Sequence, residues 1–237
     1  TNVCIPGCEL ISVEKMQSTQ AMRAIAEHSD KTYTLLYTKH TALKIGMFAL
    51  ERMVQVMEMT QAGMVYADHY QQIDGVQKTA PVIDYQPGSL RDDFNFGSVL
   101  LFNANAFKEV IENTEEEYQY AGLYDLRLKI SQKSKLVHIN EYLYTEVESD
   151  KRKSGEKQFD YVDPKNRQVQ IEMEQACTNH LKEIGGYLYP IFRPVDFSSH
   201  TFEYEASVII PVRNRIRTVK DAVRSALNQQ TTFPFNV

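Results

Sequence analysis

The sequence predicts an α/β fold, and three observations predict it. Residues Tyr33 to Ala67 read as strand, loop, amphipathic helix and strand: an apolar run (Tyr33, Leu35, Leu36, Tyr37), a polar break at Thr38-Lys39-His40-Thr41, a stripe at three-and-four spacing (Met47, Leu50, Met53, Val54, Met57) and a second apolar run, Met64 to Ala67. The alternation recurs over Val99 to Ile111 and again over Leu126 to Ile139. A last strand-turn-helix pattern occupies Ala206 to Gln229.

Taken in order, Asn2 to Gly7 reads as a short strand ended by a turn, and Ser18 as the N-cap of a helix through Ala21, Met22, Ile25 and Ala26. Gly63 is placed as a left-handed stop after the Met47 to Met57 helix, and Asp74-Gly75 as a turn. A buried strand, crossover helix and second strand form a βαβ unit, whose ligands bind beyond the carboxyl ends of the strands. Two polar edges therefore become candidates, Thr38 to Thr41 and Asp68-His69, with Arg91 and Asp92 expected beside Asp68.

Pro81 to Tyr85 reads as a strand and Pro87-Gly88 as a turn. The loop from Gly88 to Gly97 then gathers Arg91, Asp92 and Asp93 between glycines. It is either an acceptor- or phosphate-facing loop in which Arg91 clamps an anion, or a local Arg-carboxylate pair that stiffens the chain. Val99 to Phe102 is a buried strand, with Asn103 or Asn105 capping a helix through Phe107, Val110 and Ile111. Glu115 to Glu117 is a solvated face, Asp125 caps or pairs near the start of a helix from Leu126 to Ile130, and His138 is a core histidine. Glu148 to Lys157 is a charged loop ending the first sheet. Asp163-Pro164 starts a helix striped by Val169, Met173, Ala176, Cys177, His180, Leu181 and Ile184, which Gly185-Gly186 stops. Tyr187 to Pro194 is a semi-rigid aromatic and proline linker, and Val208 to Ile210 a strand covered on both faces.

Composition narrows the function. Twenty-six basic and 31 acidic side chains give a net charge of −5, which argues against nucleic acid as a partner. No apolar run reaches the roughly 20 residues of a membrane span. Cys4, Cys8 and Cys177 make neither a disulfide framework nor a zinc pattern, and they read as buried thiols in a reducing cytoplasm.

Three stretches resemble the family-2 glycosyltransferases, which have the nucleotide-sugar-binding GT-A fold. Tyr33 to Thr41 aligns with the strand and "D-x-D" loop that hold the metal in that family, and Thr38 and His40 stand where the aspartates would be. Gly122 and Leu123 replace the Glu-Asp pair of "E-D-Y-D-L-W-L-R", in which the Asp is the base, while Tyr124, Asp125 and Leu126 match. Ala206 to Asn214, with Val219 to Gln229, resembles the opening "S-V-I-I-P-x-x-N" of a catalytic domain, which makes Pro211, Arg213 and Asn214 nucleotide-site candidates.

The resemblance implies a GT-A-like mixed sheet flanked by helices in residues 1–150, shortened and degenerate. A linker helix and extended linker would follow in 151–205, and the first strand and helix of a second domain in 206–237. The chain would then be a segment of a longer glycosyltransferase that uses a nucleotide sugar and a glycan acceptor, inactive by itself. The alternative is a noncatalytic glycan-binding or scaffolding module. Asp68 and Asp125 are the remaining catalytic candidates. No metal site is expected in this segment, and Mg or Mn only in a complete second domain. The 206–237 strand is expected to dock on the first domain or to form a homo-oligomer.

Overall fold

Met64, Val65, Tyr66 and Ala67 are consecutive, apolar and fully buried, and such a run belongs in the middle of a sheet covered on both faces. The computed structural model, which describes residues 8–147 and 167–237, places them there. They open β3 (Met64–Ile73), the centre of a mixed sheet ordered β1-β5-β3-β6-β2, with β4 paired to β3. The other strands are β1 (Tyr33–Tyr37), β2 (Leu43–Ile45), β4 (Val76–Ala80), β5 (Val99–Asn103) and β6 (Leu136–Val147). β3 is parallel to β6 and antiparallel to β5, which is antiparallel to β1. β1 and β3 therefore point the same way, as a βαβ unit requires, but β5 lies between them.

The helices of this unit are α1 (Thr19–His28), α2 (Ala49–Thr60), α3 (Ala104–Glu112), α4 (Gly122–Lys133) and α5 (Arg167–Glu183). Alternation along β3 sends Met64 and Tyr66 into one apolar cluster with Met22 of α1, Phe107 of α3 and Leu126 of α4. Val65 and Ala67 face the opposite cluster, with Met53 and Met57 of α2. Each of these methionines is fully buried and contributes about 1.5–3 kcal/mol by leaving water.

Local signals act as expected at several ends. The Ser18 hydroxyl accepts from the Ala21 amide at 3.0 Å, and the Asn103 side chain accepts from the Asn105 and Ala106 amides. Asp74 (φ 50°) and Gly75 (φ 82°) are both left-handed, the geometry of a tight hairpin turn between β3 and β4.

Other expectations are corrected. The left-handed residue after α2 is Gln61 (φ 53°), not Gly63. Gly63 is required for contact instead, because a methyl there would lie 2.6 Å from Ser134 Cβ and 2.7 Å from Ile130 Cγ2. Met47 and Leu50 are exposed because α2 starts at Ala49, so the core positions are Ala49, Met53 and Met57. Pro81 to Tyr85 is not a strand, since side chains rather than a neighbouring backbone satisfy it: Val82 N donates to Asp68, Tyr85 N donates to the Tyr66 hydroxyl, and that hydroxyl donates to Ile83 O.

The helix assigned to a linker packs on α4, with Ala176 buried and Met173 and Cys177 against the Tyr118, Tyr124 and Leu128 cluster. It ends at Gly185 (φ 72°), where Gly186 N and Tyr187 N both donate to Leu181 O. The chain divides into two units, residues 1–187 and 188–237.

In the second unit, β7 (Ala206–Ser207) pairs in parallel with β8 (Phe235–Asn236), and α6 (Val219–Leu227) follows. The buried strand expected at Val208 to Ile210 is not formed, and Ile209 is 81% exposed. α6 has no buried residue. A two-residue ladder gives neither segment a second layer within this unit. The readings at Asn2–Gly7, Glu148–Lys157 and Asp163-Pro164 lie outside the described residues. No helix among the described residues is long and apolar enough to cross a membrane.

Candidate functional site

β1 ends at Tyr37, and its ladder with β5 closes on one further bond before the chain turns. Thr38 N donates to Ser98 O at 2.9 Å, and the Tyr37 hydroxyl donates to Thr41 O at 3.0 Å, closing the Thr38 to Thr41 loop over the strand end. Two recesses of about 430 Å³ each open on either side of this loop. Gln17, Thr38, Lys39, Tyr120 and Leu123 border both, so they form one cleft with a ridge. Its position at the carboxyl end of β1, beside the start of α4, is where ligands enter open α/β sheets.

The first recess is aromatic. Phe94 and Phe96 have ring centroids 4.5 Å apart, and Tyr124 lies beside them at the first turn of α4. The Arg127 guanidinium sits 5.3 Å from the Phe96 centroid and 4.8 Å from that of Tyr124. The second recess is apolar, lined by Met22, Ile25 and Leu36, with Lys15 and His40 among its polar residues.

Behind the ridge lies a buried polar group. Lys39 Nζ pairs with Glu146, which is 2% exposed, and Glu146 Oε1 lies 3.5 Å from His69 Nε2. His69 stacks on Tyr144, whose hydroxyl accepts from Ser98 N at 2.9 Å. Gly97 (φ 72°) has no room for a side chain, because a methyl there would overlap the Tyr144 hydroxyl.

Burial pushes the His69 imidazole below its ordinary pKa against the pull of Glu146, and it pushes the Tyr144 hydroxyl up to about 12. Burial opposes ionisation of Glu146 as well, but the hydrogen bond from Lys39, with the nearby Ser98 hydroxyl, outweighs it and holds the carboxyl below its ordinary value. His69 Nδ1 and Ser98 Oγ have no well-formed hydrogen bond, although Ser98 Oγ lies close enough to Glu146 to favour its charged form.

The sequence candidates divide. Asp92 and Asp93 border the first recess, whereas Arg91 turns outward and grips Asp93 with two bonds, Nε at 2.8 Å and Nη2 at 2.6 Å. That is the stiffening pair rather than an anion clamp. Asp68 is not at a strand edge: β3 continues to Ile73 because β4 and the long β6 pair its polar half. Its carboxylate is 1% exposed, accepts from Val82 N at 2.8 Å and lies 2.9 Å from His138 Nε2. The expected grouping of Arg91 and Asp92 with Asp68 is therefore not made by any direct contact.

His138 is satisfied on both sides, with Asp84 2.7 Å from Nδ1. Asp125 is buried in α4 and pairs with Lys129 at 2.9 Å, and burial raises its pKa in spite of that cation. Neither Asp68 nor Asp125 borders the cleft. Pro211, Arg213 and Asn214 are exposed in the second unit, Asn214 at φ 56°.

No family model and no curated protein matches this chain. Sequence reasoning missed Gln17, Tyr120, the Phe94/Phe96 floor and Arg127. The first three sit in loops without periodic signal, and Arg127 reads as the polar side of a helix. Among the described residues no group of three or more His, Cys, Asp or Glu side chains is arranged to hold a metal ion.

Proposed function

We propose that the first unit is a glycan-binding module with a GT-A-like fold, derived from a family-2 glycosyltransferase, that carries out no transfer itself. The observation that carries this reading is the convergence of Thr38, His40 and Leu123. They lie about 85 residues apart in sequence, in the stretches that resemble the family's metal loop and base motif, and they border one cleft. A family relationship accounts for that convergence, and the residue types account for the lost chemistry. Transfer needs a charge to stabilise the leaving diphosphate and a base for the acceptor hydroxyl. Thr38 and His40 offer no hard anionic oxygen for Mg or Mn, the Lys39 charge is neutralised by Glu146, and Leu123 takes no proton. What remains is a recess with an aromatic floor, suited to the C–H face of a sugar ring.

The experiment is amide chemical-shift mapping with methyl glycosides. Binding through this cleft shifts Thr38, Gly97 and Leu123, whereas shifts confined to residues outside both recesses would overturn the assignment. Asp92 favours a second reading. It is a carboxylate at the mouth of the recess, and a retained hydrolytic or transfer activity would rest on it. The parent protein, on the first reading, is a glycosyltransferase that uses a nucleotide sugar and a glycan acceptor. Pro211, Arg213 and Asn214 then belong to the nucleotide site of its second domain, which on this reading would use Mg or Mn.

A further inference from the structure

Arg127 is the cation of the first recess that has no anionic partner among the described residues. It is 5% exposed, and its side chain runs from α4 under the 89–91 loop, where Nη1 donates to Ser89 O at 3.0 Å and Nη2 to Arg91 O at 2.9 Å. Asp93 is engaged by Arg91, Asp125 and Glu116 by Lys129, and Glu146 by Lys39, while Asp92, exposed on the recess lining, forms no ion pair with Arg127. No carboxylate among the described residues lies within ion-pair distance of Arg127. A guanidinium has five N–H donors and stays charged in proteins, so two carbonyls leave donors unspent, with the Tyr85 side chain as a further partner. A buried unpaired charge is costly, and the faces of Phe96 and Tyr124 offset only part of that cost. Burial accordingly lowers the Arg127 pKa.

We propose that this recess selects an acidic sugar, a pyranose bearing one carboxylate, with the carboxylate held by Arg127 and the ring lying on Phe94 and Phe96. The inference rests on the glycan-binding reading above and adds the chemical class of the ligand. A carboxylate matches the two-pronged geometry of a guanidinium, and a volume of about 430 Å³ lies within the range of small-ligand pockets. Lys39 cannot replace Arg127 in this role, because Glu146 neutralises it. Asp92 is exposed at the mouth, so it repels an anion at the rim and leaves the inner end as the favourable position.

The test titrates the full chain by NMR with methyl β-D-glucuronide, its neutral methyl ester, methyl β-D-glucoside and inorganic phosphate. The glucuronide is expected to bind at least about tenfold more tightly than either neutral glycoside, as for a buried charge-assisted pair. Phosphate is expected not to displace it at equal concentration. Equal affinity for the three glycosides overturns the acidic-sugar inference and leaves the glycan-binding reading standing, while no binding by any of them overturns both. Displacement by phosphate alone as effective as by the glucuronide means an anion site without sugar recognition, and also overturns it. Arg127→Gln abolishes the preference for the glucuronide. Arg127→Lys, which retains the charge and a donor for the 89–91 carbonyls, reduces it to about threefold.

Discussion

Replacing Gly122 with alanine tests how tightly the start of α1 packs over the first turn of α4. Gly122 opens α4 at a helical backbone conformation, so alanine meets no dihedral strain there. The obstacle is contact: a methyl would overlap Thr19 N and Ser18 C and lie 2.7 Å from Ser18 O. All three are backbone atoms at the start of α1, so no rotamer change can relieve them. α1 and α4 must separate by about 1 Å, and overpacking of this kind costs roughly 1–3 kcal/mol. The shift also disturbs the Ser18 cap on Ala21 N, worth about 1 kcal/mol.

A net loss of about 3 kcal/mol follows, or a fall in the Tm of the first unit of roughly 6–12 °C at this size. Differential scanning calorimetry of Gly122→Ala beside Gly186→Ala measures it. The control methyl would meet only side-chain atoms, the nearest at 3.3 Å, and should change Tm little. An unchanged Tm in Gly122→Ala would refute the argument that α1 has closed over this position. Glutamate, which the resemblance places here, is barred by the same contacts.

Asp68→Ala should cost about 3 kcal/mol, because it orphans Val82 N and His138 Nε2 in the interior, and amide exchange at Val82 should accelerate; protection equal to wild type would show that the 81–85 segment is held otherwise. Arg91→Ala should leave Tm unchanged, since its pair with Asp93 is exposed, and a clear fall would assign the pair a larger part in the loop. His69 contributes a pH dependence of definite sign. Its folded pKa lies below the ordinary 6.5, so the unfolded chain takes up the proton first, and stability is full above 6.5 and declines as pH falls through it. His180, also depressed by burial, acts in the same direction. His69→Phe should therefore flatten the decline below pH 6.5 in part, and an unaltered slope would mean that His69 is not the buried neutral group described.

The sequence was most readable where burial is two-sided or a cap is explicit. Met64 to Ala67, Val99 to Phe102, Ser18 and Asn103 all act as their residue types dictate. It was least readable where partners come from afar. Nothing local shows that the backbone from Pro81 to Tyr85 is satisfied by Tyr66 and Asp68 rather than by a strand. β2 is three residues long, below any periodic signal, and exists because Leu43 to Ile45 pair with Tyr144 to Glu146. Of the candidate site, the Thr38 to Thr41 edge was legible because a strand followed by a polar break exposes a carboxyl end. The Asp68-His69 edge was misread because the strand continues through polar residues, which alternation alone does not distinguish from a loop. The aromatic floor and Arg127 depend on how α4 faces the 89–97 loop, a long-range packing fact.

A cleft that binds sugar without transferring it, as proposed, leaves nucleotide sugars intact. The direct measurement incubates the purified chain with a panel of nucleotide sugars, with Mg or Mn and with glycoside acceptors, and follows release of nucleoside diphosphate, including slow hydrolysis without acceptor. Release at the buffer rate is expected under conditions in which glycoside binding to the cleft is saturated. Release above that rate, lost in Asp92→Ala, Asp68→Ala or Asp125→Ala, would contradict the proposal.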